Sequence, residues 1–140
     1  MTYQPKTYRD NGGDRTVFAS GGTLLLEAGS TVTDERFSGS VASAADSLAI
    51  PVTARYVAKT TGADAEALTL ANGVPGQRLN IALVVDGGGD GTLTPATVSG
   101  FATIVFADAG DIADLEYVDD TVGWILVGTA GVAAPPVITV

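Results

Sequence analysis

From about residue 48 onward, short β-like segments are broken every ten or so residues by Gly, Pro, Asn or Asp. Strands at that spacing, separated by turn residues, are the signature of an all-β sandwich or barrel. Leu48-Ala49-Ile50-Pro51-Val52 and Arg55-Tyr56-Val57-Ala58 read as strands, the first limited to a sheet edge by Pro51. Glu66-Ala67-Leu68-Thr69-Leu70 alternates and ends at the turn Asn72-Gly73. Leu79–Val85 reads as a buried strand stopped by Asp86-Gly87-Gly88-Gly89-Asp90-Gly91, and Thr92-Leu93-Thr94 follows, ended by Pro95. Phe101–Phe106, Ile112–Tyr117 and Trp124–Val127 are three more strands, with turns at Asp108–Asp111 and Asp119–Gly123. In strict alternation Phe101, Thr103 and Val105 face one way, and Ala102, Ile104 and Phe106 the other. Both sets are largely apolar, so this strand is expected to be covered on both faces. The tail Ala133–Val140 is apolar and extended, an edge that calls for a partner.

The first 47 residues have a different texture. Residues 1–15 contain Pro5 and Asp10-Asn11-Gly12-Gly13-Asp14, show no apolar periodicity, and read as an extended arm. In residues 16–33, Ala19-Ser20-Gly21-Gly22-Thr23-Leu24 is echoed nine residues later by Ala28-Gly29-Ser30-Thr31-Val32. Short β pieces with small-residue corners fit either solenoid-like rungs or simple hairpin turns. Two rungs are too few to stand alone, since a free solenoid needs at least about three. Three copies of the chain could close a prism, with Leu24, Leu26 and Val32 between subunits. Residues 34–47, rich in Ser, Ala, Gly and Asp, read as a linker with at most a helical turn near Ala42–Leu48. The expected plan is therefore an arm (1–15), short β rungs (16–33), a linker (34–47) and a small antiparallel β-sandwich or barrel (48–140).

The chain has 140 residues and no Cys or His, which removes thiol nucleophiles, disulfides, Cys/His zinc sites and imidazole bases. At this length roughly two-thirds of the chain's surface can be buried, enough for one core. Hydrophobic residues make up 46% and charged ones 16%, so disorder is excluded and a partner is expected to cover some apolar surface. All seven basic residues (Lys6, Arg9, Arg15, Arg36, Arg55, Lys59, Arg78) lie in the first 78 positions, and residues 79–140 hold eight acids with no base. Such acidity repels phosphate backbones and anionic bilayers, so neither nucleic acid nor membrane is expected as a partner. No apolar run is long enough to span a bilayer, and the N-terminus lacks the apolar core of a signal peptide. The expected setting is a cytoplasm.

The remaining chemistry is thin. Asp86, Asp90 and Gly91 match positions 1, 5 and 6 of a calcium loop, but Gly88 and Thr97 stand at its third and twelfth positions. No Gly-Lys-Ser/Thr follows, so the run is not a phosphate loop. A solvated turn is the reading, and no cofactor or metal is expected. Asp108, Asp111, Asp114, Glu116, Asp119 and Asp120 could serve glycoside hydrolysis only if two faced each other across a cleft. Ser20 and Ser99 lack a base to activate them, so no enzymatic activity is expected. Trp124 reads as core filler. Tyr3 and Tyr8 have no local core, and rigid aromatics beside Lys6 and Arg9 are typical interface anchors.

A set of these residues carries a family resemblance. Leu70-Ala71-Asn72-Gly73-Val74-Pro75-Gly76-Gln77-Arg78, then Ile81–Val84, Leu93-Thr94-Pro95, Ile104-Val105-Phe106, Gly110-Asp111 and Gly123-Trp124 resembles a small β module of tailed-phage virion proteins. The arm, with Gln4-Pro5-Lys6, Tyr8-Arg9, Gly12-Gly13-Asp14-Arg15 and Ala19-Ser20-Gly21-Gly22, resembles the start of phage head-decoration proteins. The resemblance implies a non-enzymatic, homotrimeric capsid decoration protein on the outside of the virion head, assembled in the host cytoplasm. Its partner would be the major capsid protein, bound through Tyr3, Pro5, Lys6, Tyr8, Arg9 and Arg15. A tail-fibre or baseplate module contacting host glycan is the alternative.

Overall fold

A computed structural model describes residues 7–9, 16–18, 40–131 and 136–140. The chain divides into two units, Met1–Thr33 and Asp34–Val140. In the first, β1 (Thr7–Arg9) and β2 (Thr16–Phe18) pair antiparallel, with Thr7 opposite Phe18 and Arg9 opposite Thr16. Part of the expected arm is thus tied back to the segment that follows it.

The second unit is a sandwich of two five-stranded sheets. Its strands are β3 (Ser40–Ser43), β4 (Ala49–Ile50), β5 (Tyr56–Thr60), β6 (Glu66–Leu70), β7 (Arg78–Val85), β8 (Gly91–Pro95), β9 (Thr103–Phe106), β10 (Ile112–Tyr117), β11 (Trp124–Ala130) and β12 (Val137–Thr139). One sheet runs β11-β10-β7-β5-β3 and the other β12-β9-β8-β6-β4. The described residues contain no helix; the tight turn at Ala44–Ser47, closed by Ser47 N–H donating to the Ala44 carbonyl, stands where a helical turn was expected.

The all-β class is as expected, but strand direction is not uniformly antiparallel. From β3 to β8 the chain crosses from one sheet to the other at every step. Each return to a sheet therefore has the same direction as the last. Ser40 aligns in parallel with Tyr56 and Tyr56 with Asn80; in the other sheet Ile50 aligns with Leu70 and Leu70 with Pro95. Only the last four strands add antiparallel, β9 on β8, β10 on β7, β11 on β10 and β12 on β9. A solenoid-like winding thus occupies residues 40–95; residues 19–33, where rungs were expected, lie outside the described set.

Alternation places the core between the sheets. In β6, Glu66, Leu68 and Leu70 point inward while Ala67 and Thr69 are exposed. Leu79, Ile81 and Leu83 of β7, Leu93 of β8, Ile104 and Phe106 of β9, and Ala113, Leu115 and Tyr117 of β10 join them. Burying each large aliphatic side chain contributes about 1.5–3 kcal/mol. The strand expected to be covered on both faces is covered on one. It begins at Thr103, with Thr103 and Val105 half-buried outside, and Phe101 is buried from the preceding loop. Residues 40–43 of the expected linker form an edge strand; small Ser and Ala side chains gave it no apolar alternation.

Candidate functional site

Part of the Leu70–Arg78 stretch meets Trp124 at one end of the sandwich. Trp124 is fully buried, its indole N–H donates to the Ala71 carbonyl at 2.9 Å, and it packs edge-on against Tyr117 with ring centroids 5.2 Å apart. Gly73 lies beneath this ring: a Cβ there would sit 2.9 Å from Trp124 Cζ2 and 2.7 Å from Gln77 Oε1. Gln77 is buried and spends both ends of its amide. Its Oε1 accepts from Val74 N–H at 2.9 Å, and its Nε2 donates to the Val52 carbonyl at 2.6 Å. The Leu-x-x-Gly-x-x-Gly-Gln stretch and the late Trp are therefore one interlocked structural unit. Trp124 is core, as its strand context indicated.

The Asp86–Gly91 run has a packing explanation. Its backbone lies on the 61–65 connector: Gly89 N–H donates to the Gly62 carbonyl at 2.9 Å and Glu66 N–H to the Asp90 carbonyl at 2.8 Å. A Cβ at Gly87 would come within 2.3 Å of the Thr61 carbonyl oxygen, and one at Gly89 within 2.0 Å of the Asp64 oxygen. Glycine is needed because two stacked connectors leave no room for a side chain. Asp86 accepts the Gly88 N–H at 2.7 Å and so shapes the turn. Among the described residues no group of three or more acids is placed to hold a metal ion.

The other carboxylates are dispersed. Asp108 and Asp111 precede β10 and Asp119 and Asp120 follow it, so the two sets are about 20 Å apart along a six-residue strand. Paired acids for glycoside hydrolysis need ~5–9.5 Å. Asp111 is buried, with Oδ2 accepting from Ala107 and Asp108 N–H groups. Asp119 accepts from Thr121 and Val122 N–H groups at 2.8 and 2.7 Å. Asp120 accepts the Tyr117 hydroxyl and, at 3.3 Å, the Asn72 amide. Burial pushes the Tyr117 phenol up to about 12, and the neighbouring Asp120 and Asp119 carboxylates add to the rise. Asp111 and Asp119 thus hold turns, and Asp120 is tied to Tyr117 and Asn72.

Among the described residues, one ion pair is buried. Lys59 and Glu66, both inward-facing and buried, approach to 2.6 Å. Lys59 also donates to the Ala44 and Ser47 carbonyls at 2.8 and 3.0 Å, and Glu66 Oε1 accepts from Asp46 and Gly62 N–H groups. Burial raises the Glu66 pKa, but Lys59 and the two backbone donors outweigh it and leave the carboxyl lowered. The pair pins two connectors at the end opposite Trp124.

Of the residues expected to bind a shell, Tyr8 and Arg9 belong to β1, opposite Val17 and Thr16. Tyr3, Pro5, Lys6 and Arg15, and the expected trimer residues Leu24, Leu26 and Val32, lie outside the described residues. The buried Lys59–Glu66 pair was not foreseen. Its signal was a charged residue at one inward position of each of two alternating strands. No helix among the described residues is long and apolar enough to cross a membrane. The chain matches no protein-family model and no curated protein.

Proposed function

We propose that the protein is a non-enzymatic decoration protein of a tailed-phage head, which binds the outer surface of the shell as a homotrimer and stabilises it. The observation that carries this reading is the convergence of the resembling residues. Ala71, Gly73 and Gln77 meet the distant Trp124 and build a single interlocked corner. A corner of that kind is a fold determinant, which supports reading the resemblance at the level of a module.

Two features support a binding role over a catalytic one. The acids that flank β10 stand at opposite ends of the strand, and Asp111 and Asp119 are bound into turns. Residues 1–18, which include the β1–β2 ribbon, carry Lys6, Arg9 and Arg15 against Asp10 and Asp14, the net-positive stretch of an otherwise acidic chain. Sedimentation equilibrium of the purified protein and its co-sedimentation with phage shells test the reading together. A trimer that pellets with shells at a fixed copy number is the expected result. A monomer that ignores shells but binds host-surface polysaccharide would transfer it to a tail fibre or baseplate.

A further inference from the structure

The two ends of the sandwich are electrically different. The connectors at 44–48, 61–65, 86–90 and 107–111 gather at one end, where Asp46, Asp64, Asp86, Asp90 and Asp108 are all exposed. Among the described residues that end carries no exposed base. At the other end Arg55 and Arg78, both exposed, line one cavity of about 270 Å³ together with Gly76 and Gln77. The remaining described cation of this unit, Lys59, is buried in its pair with Glu66.

The fold, not the sequence spacing, brings these arginines together. β5 and β7 run parallel with Tyr56 beside Asn80, and Asn80 N–H donates to the Arg55 carbonyl at 2.8 Å. Gln77 ties the loop before Arg55 to the turn before Arg78 through its bond to the Val52 carbonyl. Glu116, opposite Arg78 across the β7–β10 pair, holds one edge of that guanidinium at 3.0–3.1 Å and sets its orientation. Five guanidinium N–H donors per arginine leave further donors beyond that bridge. Asp119 and Asp120 lie at the same end, where Oδ1 of Asp119 accepts from Thr121 and Val122 and Oδ1 of Asp120 from Tyr117 and Asn72.

We propose that the Arg55–Arg78 cavity is a docking site for a carboxylate side chain, Glu or Asp, presented by an acidic segment of a different protein. Guanidinium pairs recognise carboxylates through forked, charge-assisted hydrogen bonds. At about 270 Å³ the cavity falls just below the ~300–1,000 Å³ of drug-sized ligand sites and has room for an inserted side chain. Charge placement adds direction: among the described residues of the sandwich, Arg55 and Arg78 are the exposed cations, so a carboxylate meets positive charge at this end and none at the end of Asp46, Asp64, Asp86, Asp90 and Asp108. The lining residues all belong to Asp34–Val140, so the proposal does not depend on what the arm binds.

The test is nuclear magnetic resonance of the isotope-labelled full chain, titrated with the peptide acetyl-Glu-Glu-Glu-amide. The expected result is saturable shifts of the Arg55 and Arg78 side-chain N–H signals and of the Gly76 and Gln77 amides. Arg55→Gln with Arg78→Gln should weaken binding by at least about tenfold, as expected for losing charge-assisted bonds, with an unchanged urea midpoint. If the double variant unfolds, Arg55→Gln alone carries the comparison, because Arg78 also pairs with Glu116. The proposal fails if the Gln-Gln-Gln peptide gives the same shifts, if the variant binds equally, or if no saturable shift occurs. Equal shifts with inorganic phosphate at the same concentration would make the site a general anion site and overturn the carboxylate assignment. Shifts produced by raising protein concentration alone would give the cavity to a second copy and overturn the assignment to a different protein.

Discussion

Lys59 and Glu66 meet at 2.6 Å in the interior, and both are wholly committed: the ammonium to Glu66 and two carbonyls, the carboxylate to Lys59 and two backbone N–H groups. Removing one partner leaves a buried charge without compensation, which costs about 3–5 kcal/mol. Glu66→Ala should therefore lower stability by about that amount, read from urea midpoints. Lys59→Met with Glu66→Leu should recover part of the loss, because a buried ion pair often exchanges for apolar packing at little cost. A single variant as stable as the wild type would show that the pair is not a structural pin.

The same carboxyl gives an acid limb to stability. Its folded pKa is below the unfolded value, so the folded state binds fewer protons there and stability falls as pH drops. The contribution is complete above the ordinary glutamate range and is lost as pH falls through the lowered folded value. A series of urea midpoints toward low pH should show this loss in the wild type and a shallower one in Glu66→Gln.

Tyr117 sets the alkaline limb. Its hydroxyl is pushed up to about 12 from the ordinary value of 10.0, so the folded state retains a proton that the unfolded chain gives up. Its contribution is intact below pH 10 and is lost between there and about 12. Phenolate absorbance against pH should show one late-titrating tyrosine, absent in Tyr117→Phe. A full set of tyrosines titrating near 10 in the folded protein would contradict the burial.

Gly89 is the strictest glycine of the acidic loop, with an added Cβ 2.0 Å from the Asp64 carbonyl oxygen. Gly89→Ala should cost at least about 1–3 kcal/mol, the range for forced overpacking, because the obstacle is backbone and cannot swing away. Calcium at millimolar concentration should leave the melting temperature unchanged, since Asp86 already serves the Gly88 N–H. A rise of many degrees with calcium would restore a metal role to this loop.

The strands from β5 to β11 were legible because alternation and turn residues are local properties. Glu66-Ala67-Leu68-Thr69-Leu70 announces both its strand and its inward face. β3 was not legible, because Ser40-Val41-Ala42-Ser43 has almost no contrast between its faces. The parallel winding was hidden for another reason. A Gly/Asp turn has the same composition whether it reverses the chain within a sheet or arches to the opposite sheet. Arg55 and Arg78 could not be joined from the sequence either, since their meeting depends on the β5–β7 register. The Asp86–Gly91 run was legible as a turn but not as a packing surface, because the 61–65 connector beneath it is remote in sequence.

The arm offers the sharpest test of the decoration reading. Asp34–Val140 is a compact unit with its own core, and β1 and β2 pair within Met1–Thr33. Deleting residues 1–15 removes the partner of β2 and the cations Lys6, Arg9 and Arg15, but no residue of the sandwich. The melting transition of the sandwich should therefore be unchanged, while co-sedimentation with phage shells is lost. Ordering an arm costs on the order of 1–2 kcal/mol per residue, so one copy binds weakly and three arms on a trimer are needed for firm attachment. Lys6→Ala with Arg9→Ala should weaken binding more at low salt than at high salt, since exposed charges are screened as ionic strength rises. If the deleted protein still pellets fully with shells, the docking surface lies on the sandwich, and the Arg55–Arg78 end becomes the first place to look.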